Sequence, residues 1–249
     1  MAIKEYIKSL LVNLTPIFIK RAIIFPYEES RKKREDIDRY LNLSYSQEGE
    51  DLVLYRLIGH KTNGFYVDIG AHHPYRFSNT YKFYQLGWRG INIDPLPESM
   101  NLFKDKRPRD ISLELAIVNS DNQQLHYYMF AEPALNTMDQ RVAIERELTV
   151  PSDKIIKTIS VPSYKLVDVL DKHLPSHQEI DFFSIDVEGM DFSVIQSNNW
   201  DKYRPKFVVL ESLNSNLQED LDTELTSFLM GKNYNLVAKT ANALIYERF

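Results

Sequence analysis

Phe65 to Ile69 and Gly90 to Ile93 are short apolar runs, and each stops at a residue type that a ligand-binding turn needs. The first ends in Asp68-Ile69-Gly70, and the second runs into Asp94, 24 residues beyond Gly70. The chain holds only eight glycines in 249 residues, and Gly59, Gly64, Gly70, Gly87 and Gly90 fall in this region. Glycines collect where a backbone must turn sharply or approach a ligand closely. One tight glycine turn and one isolated carboxylate, at two strand ends, describe a nucleoside-sized pocket. Strands separated by helical stretches require crossovers, so the expected fold class is α/β with a mainly parallel sheet, whose ligands sit beyond the carboxyl ends of the strands.

The remaining pattern extends that sheet. A helix is expected through Asp51 to Ile58, with Leu54, Leu57 and Ile58 on one face and Ser44 with Gln47, or Ser46, as its cap. Ser78 or Asn79 is expected to cap a second helix bearing Tyr81, Tyr84 and Trp88, with Gly87 at its end. Further strands are read at Ile111 to Val118, Leu125 to Phe130 (a hairpin), Lys157 to Val161, Ile180 to Val187 and Phe207 to Leu210. Ser163 to Leu170 reads as helix, and Asn235 to Ala238 with Leu244 to Tyr246 as a closing antiparallel pair.

Composition removes several functions. A net charge of −5 and a pI near 5.7 disfavour a nucleic-acid-binding face, which needs clustered surplus Lys and Arg. The absence of cysteine excludes disulfides, thiolate metal sites and thiol nucleophiles, and fits a cytoplasmic protein. Leu10 to Phe25 is apolar but interrupted by Asn13, Pro16, Lys20 and Arg21, so no transmembrane segment is expected, and no signal cleavage site follows it. Residues 1–40 read as an arm and 41–249 as the folded domain. The basic cluster Arg31 to Arg34 offers peripheral contact with an anionic membrane or with another subunit, against the simpler reading of a solvated arm.

A nicotinamide dinucleotide, the cofactor of an NAD(P)-dependent oxidoreductase, fits the first turn poorly. G-x-G-x-x-G spacing from Gly70 falls on Gly70, His72 and Tyr75, and two side chains would occupy the space of the phosphates. S-adenosylmethionine has no diphosphate. It asks for a tight turn, a carboxylate for the ribose hydroxyls and acidic character near its cationic groups, which Asp68, Gly70 and Asp94 supply. The interval from Gly70 to Asp94 is close to the ~20 residues expected for a ribose-binding acid.

Five motifs in order, Ser46-Gln47-Glu48-Gly49-Glu50-Asp51, Val67 to Pro74, Ser78-Asn79-Thr80, Gly87 to Asp94 and Ile185 to Gly189, resemble those of the FkbM-type methyltransferases from about Leu43 to Tyr246. The resemblance implies a Rossmann-like class I methyltransferase fold: a seven-stranded, mainly parallel sheet with an antiparallel C-terminal strand and helices on both faces. It implies S-adenosyl-L-methionine as donor and O-methylation of a sugar, polysaccharide precursor or glycosylated small molecule, often in bacterial pathways. By that likeness Asp68, Gly70 and Ala71 line the methionine end, Ser78 and Asn79 assist, and Asp94 holds the ribose.

For catalysis the candidates are Asp186, Glu188 and His73, with Asp186 facing the transfer centre and His73 or Glu188 taking the acceptor proton. The simpler reading makes His72 and His73 a pair that caps a loop or packs under the cofactor. Magnesium on Asp186, Glu188 and Glu211 is conceivable chemistry, but no metal is assigned. Tyr127 and Tyr128 either stack on a sugar ring or belong to a plain half-buried hairpin. A catalytically inactive docking protein with the same fold is the alternative function.

Overall fold

The computed structural model describes residue 34 and residues 38–59, 61–120, 124–150, 152–213 and 215–249. The expectations placed on residues 1–33, including most of the basic cluster, lie outside the described residues. Residues 44–249 form one compact unit, distinct from residues 1–43. Among the described residues, no helix is long and apolar enough to cross a membrane.

A seven-stranded sheet organises this unit. In spatial order it runs β3 (Ile111–Leu113), β2 (Arg89–Ile93), β1 (Phe65–Ile69), β7 (Phe182–Ile185), β8 (Phe207–Glu211), β10 (Ala243–Arg248) and β9 (Tyr234–Lys239). The first five strands are mutually parallel, and β10 runs antiparallel to both β8 and β9. This is the Rossmann-like α/β architecture expected from the sequence. Side chains alternate between two buried faces, as a sheet covered on both sides requires. Val67, Ile69, Phe183, Ile185, Val208 and Leu210 pack with α5 (Leu166–His173), α6 (Asp191–Gln196) and α8 (Glu224–Gly231). Tyr66, Phe182, Phe207, Val209 and Ile245 pack on the other face with Leu54 of α1 (Glu50–Ile58) and Phe83 of α2 (Tyr81–Gln85).

Several boundaries differ from the sequence reading. The single strand expected at Ile111 to Val118 is two: β3 joins the large sheet, whereas β4 (Ala116–Ile117) leaves it and pairs with β6 (Lys157–Tyr164). The strand β5 (Gln124–Met129) pairs antiparallel with β6, completing a separate three-stranded sheet. This insert also carries a 3-10 turn, Pro133–Leu135, and α4 (Gln140–Thr149), a helix the sequence reading did not anticipate. The helix α1 has the left-handed Gly49 at its N-cap position; the Ser46 hydroxyl nevertheless accepts from the first-turn Asp51 N–H at 3.3 Å, as expected of a cap, and the Ser44 and Ser46 hydroxyls both contact the buried Asp51 carboxylate. The helix α2 ends before Trp88, which packs beneath it against Phe83.

Candidate active site

At the carboxyl end of β1 the chain makes two forced turns. Gly70 has φ +82°, and a Cβ placed there would lie 1.7 Å from the backbone oxygen of Asp186, so only glycine lets β1 and β7 approach this closely. His72 also lies in the left-handed region, at φ +50°, and the His73 N–H donates to the Ala71 carbonyl at 2.6 Å across it, a γ-turn. The His72 N–H donates to Asp94 Oδ2 at 2.8 Å, and the Leu96 N–H to Asp94 Oδ1 at 2.8 Å. Asp94 is thereby fixed at the end of β2 with lone pairs to spare on both oxygens. Burial pushes its carboxyl up to about 6, against the two backbone hydrogen bonds that lower it.

A cavity opens over these turns. Gly70, His72, Asp94, Asp186 and Glu188 line it from the strand ends, Phe77 from the loop after β1, and Tyr127 with Pro133 to Met138 (Leu135 excepted) from the insert. About 70 Å³ of it admits water centres, well below the ~300–1,000 Å³ of small-molecule pockets. The insert covers part of the strand-end cleft and narrows it. A bidentate ion pair from Arg76 to Glu132, at 2.8 and 3.0 Å, joins the loop after β1 to the insert. The Thr137 hydroxyl donates to the Glu188 carbonyl at 2.7 Å on the other side.

Asp186 and Glu188 converge. The strand β7 ends at Ile185, and Glu188 and Gly189 are both left-handed, at φ +53° and +100°, so the strand geometry that would keep residues two apart on one face has ended, yet the two acids still meet. One oxygen each of Asp186, Glu188 and Glu211 lies within 4.8 Å of the others. Arg146 of α4 forms an ion pair with Glu188 and donates to the Leu135 carbonyl at 2.6 Å. Burial, followed by the Glu188 charge, raises Asp186 well above the ordinary carboxylate range. Burial also raises Glu188, against the Arg146 hydrogen bond, and raises Glu211, with Asp186 and Glu188 adding to the effect. Asp186 belongs to two walls: it also lines a neighbouring chamber with Asn79, Glu50, Glu211 and Asn242.

The other residues singled out from sequence occupy different positions. Asp68 does not line the cavity; its carboxylate accepts from the Thr80 hydroxyl at 2.6 Å within a buried network. Ser78 belongs to the same network, its hydroxyl accepting from the Tyr81 N–H at 3.1 Å and from Arg107 at 3.4 Å. Arg107 and Asp110 are wholly buried and joined at 2.8 Å. Arg107 also donates to Tyr66 OH at 2.7 Å and to Thr80 Oγ1 at 3.0 Å, while Asp110 accepts from Tyr66, Gly90 and Asn92. Ala71 packs with Met100 and Phe103. Asn79 Nδ2 donates to Ser184 Oγ at 3.1 Å, in the wall of the second chamber. His73 caps its own loop: Nδ1 accepts from the Tyr75 and Arg76 N–H groups at 3.1 and 3.0 Å. Its ring is absent from the cavity wall, where His72 stands instead. Of the two tyrosines, Tyr127 is buried against the cavity and Tyr128 lies on the opposite side of β5. Arg107, Arg146 and Asn136 gave no signal in the sequence, because charged and amide residues are by default expected at the surface.

The methyltransferase FkbM domain matches residues 68–236. The chain belongs to the FkbM methyltransferase family. Solved structures similar to this FkbM-family chain include a precorrin-6Y C5,15-methyltransferase from Geobacter metallireducens, at 12% identity and TM-score 0.43, covering 80% of this chain and 88% of that one. A methyltransferase from Geobacter sulfurreducens is 13% identical, with TM-score 0.41 and coverage of 98% and 96%. A TehB-like SAM-dependent methyltransferase from Corynebacterium glutamicum is 9% identical, with TM-score 0.40 and coverage of 89% and 97%. No curated protein matches the chain.

Family membership implies S-adenosylmethionine as methyl donor. The residues present fit it: Asp94 keeps acceptor capacity on both oxygens, Gly70 lines the same cavity with no side chain of its own, and the nearby carboxyl cluster suits a cation. When bound, this group supplies a methyl carried on a positively charged sulfur.

Proposed function

We propose that this methyltransferase acts on a hydroxyl oxygen of a sugar, a polysaccharide precursor or a glycosylated small molecule. One observation carries the reading: Asp186 stands in the wall shared by the cavity that contains Asp94 and Gly70 and the chamber that contains Asn79 and Glu211. A donor over Gly70 and an acceptor hydroxyl reaching towards the second chamber, where about 20 Å³ admits water centres, would then meet at this carboxyl group. Much of the rate comes from holding the acceptor oxygen, the methyl carbon and the leaving sulfur in line. As the oxygen–carbon bond forms and the carbon–sulfur bond breaks, the ionised member of the Asp186, Glu188 and Glu211 cluster takes the hydroxyl proton. The products are a methyl ether and S-adenosylhomocysteine. A carboxyl raised from its ordinary range is the stronger base, and such proton transfer contributes ~10²- to 10⁴-fold. Arg146 keeps Glu188 oriented and offsets part of the cluster's charge. His73 is not part of this proposal, since its Nδ1 is engaged within its loop.

The test has two stages. Thermal shift with S-adenosylhomocysteine against NAD should raise stability with the first alone. Transfer of labelled methyl onto a panel of saccharides should then give an alkali-stable ether, with Asp186→Asn lowering kcat by ~10²-fold or more while leaving S-adenosylhomocysteine affinity near wild type. Full turnover in both Asp186→Asn and Glu188→Gln would remove the cluster from the chemistry. Activity should persist in excess chelator, because Arg146 and bound protons already balance the carboxylates.

A further inference from the structure

Two polar atoms in the cavity wall are buried without a hydrogen-bond partner, His72 Nε2 and Asn136 Nδ2. They come from different elements, His72 from the loop after β1 and Asn136 from the insert. Asn136 is only 7% exposed, and its Oδ1 accepts from the Phe130 N–H at 2.8 Å, which assigns the amide; its NH₂ faces the Tyr127 hydroxyl but makes no bond of normal length to it. Unpaired buried donors are costly and uncommon, and two in one cavity mark groups that a ligand completes. The His72 backbone adds an independent sign. A left-handed residue other than glycine is strained, and this one is held there by the bond from its N–H to Asp94 and by the γ-turn beneath it. Its ring lies near-parallel to Phe77, at 6.3 Å and 20°. Burial and the nearby Arg76 lower the His72 pKa, so the ring is neutral at pH 7 and offers one N–H and one lone pair.

We propose that His72 and Asn136 recognise the nucleoside of the methyl donor from two different elements of the cavity wall, so that donor binding fastens the insert onto the sheet. This rests on the donor reading given above. The nucleoside end is favoured because His72 is bonded through its backbone to Asp94, the carboxylate placed for ribose hydroxyls, and because Tyr127, beside Asn136 in the wall, is close enough to feel the Asp94 charge. Asn136 Nδ2–H donates to a purine nitrogen or ribose oxygen, and His72 Nε2 pairs with a second polar group of the same ligand. The outer fastening of the insert is the Arg76–Glu132 pair, with both side chains more than two-fifths exposed. Water competes for that pair, so it can open to admit a ligand.

Calorimetric titration of the full chain with S-adenosylhomocysteine, and separately with adenosine, tests this against His72→Phe and Asn136→Asp. The aspartate keeps the acceptor for Phe130 and loses the donor. His72→Asn, which tolerates a left-handed backbone, replaces the Phe variant should that one fail to fold. Each variant should bind both probes ~3- to 10-fold more weakly, the loss of one hydrogen bond. Amide exchange over residues 130–138 should slow with S-adenosylhomocysteine in the wild type and much less in Asn136→Asp. Wild-type affinity in the variants overturns the inference while leaving the donor reading intact. Weakening for S-adenosylhomocysteine but not adenosine moves the contacts to the amino-acid end and overturns it equally. If the wild type itself binds no S-adenosylhomocysteine, the donor reading and this inference fall together.

Discussion

Replacing Gly70 by alanine tests how the strand ends are built, and a second glycine supplies the control. Both Gly70 and Gly49 are left-handed, at φ +82° and +88°. A side chain in that region costs ~1–2 kcal/mol. At Gly49 nothing lies within 4 Å of an added Cβ, so Gly49→Ala should lose that amount alone. At Gly70 the new Cβ would sit 1.7 Å from the Asp186 oxygen and 2.7 Å from its carbonyl carbon. These are backbone atoms and cannot swing aside. The Asp186 N–H also donates to the Ile69 carbonyl at 3.0 Å, so relief requires β1 and β7 to part where they are bonded. Overpacking of this kind adds ~1–3 kcal/mol, for a total of ~2–5 kcal/mol. For a domain of this size that lowers Tm by ~4–20 °C, against ~2–8 °C for Gly49→Ala. Urea and thermal denaturation followed by circular dichroism would measure both. Because Gly70 itself lines the donor cavity and parting β1 from β7 displaces that wall, S-adenosylhomocysteine affinity should fall in Gly70→Ala and stay constant in Gly49→Ala. Equal stability losses in the two variants would refute the close-approach argument.

Asp94 gives a pH signature with opposite signs in two measurements. Its folded carboxyl titrates near 6, above its ordinary value, so its contribution to unliganded stability is full at low pH and is lost as pH rises through about 6. Donor affinity should instead increase over that range, since the ionised form accepts the ribose hydroxyls, and Asp94→Asn should flatten the affinity profile and reduce the slope of the stability profile, to which Asp191, raised to about 7, also contributes; an unchanged affinity profile would exclude Asp94 as the titrating group. Arg107→Met leaves Asp110 buried without its cation and should cost ~3–5 kcal/mol by chemical denaturation. The affinity of the folded fraction for S-adenosylhomocysteine should change little, because Arg107 is absent from the cavity wall. A stability loss below ~1 kcal/mol would show that this network is not what holds α2 to β1 and β2.

Local signals were legible in the chain. Apolar runs buried on both faces fixed β1, β2, β7 and β8 to within a few residues, and Gly70 was marked as a forced turn, because strand periodicity and left-handed glycine depend on short stretches of chain. The insert was harder to read. Nothing local distinguishes a strand that stays in the sheet from β4, which leaves it to pair with β6 more than forty residues on. Tertiary structure alone decided which polar groups share the cavity. Asp68 and Asp94 look equivalent as strand-end acids, yet Asp68 turns to Thr80 and Asp94 to the cleft. His72 and His73 are adjacent, yet the left-handed turn at His72 puts its ring in the wall and leaves its neighbour capping the loop. Asn136 and Arg146 reach the site only because separate elements fold over the same strand ends, whereas Glu211, at the end of β8, is expected beside Asp186 and Glu188 from its strand-end position and stands there. A side chain at the end of a strand takes its direction from one or two backbone torsions and from partners far away in sequence, and neither is encoded in the residue or its immediate neighbours.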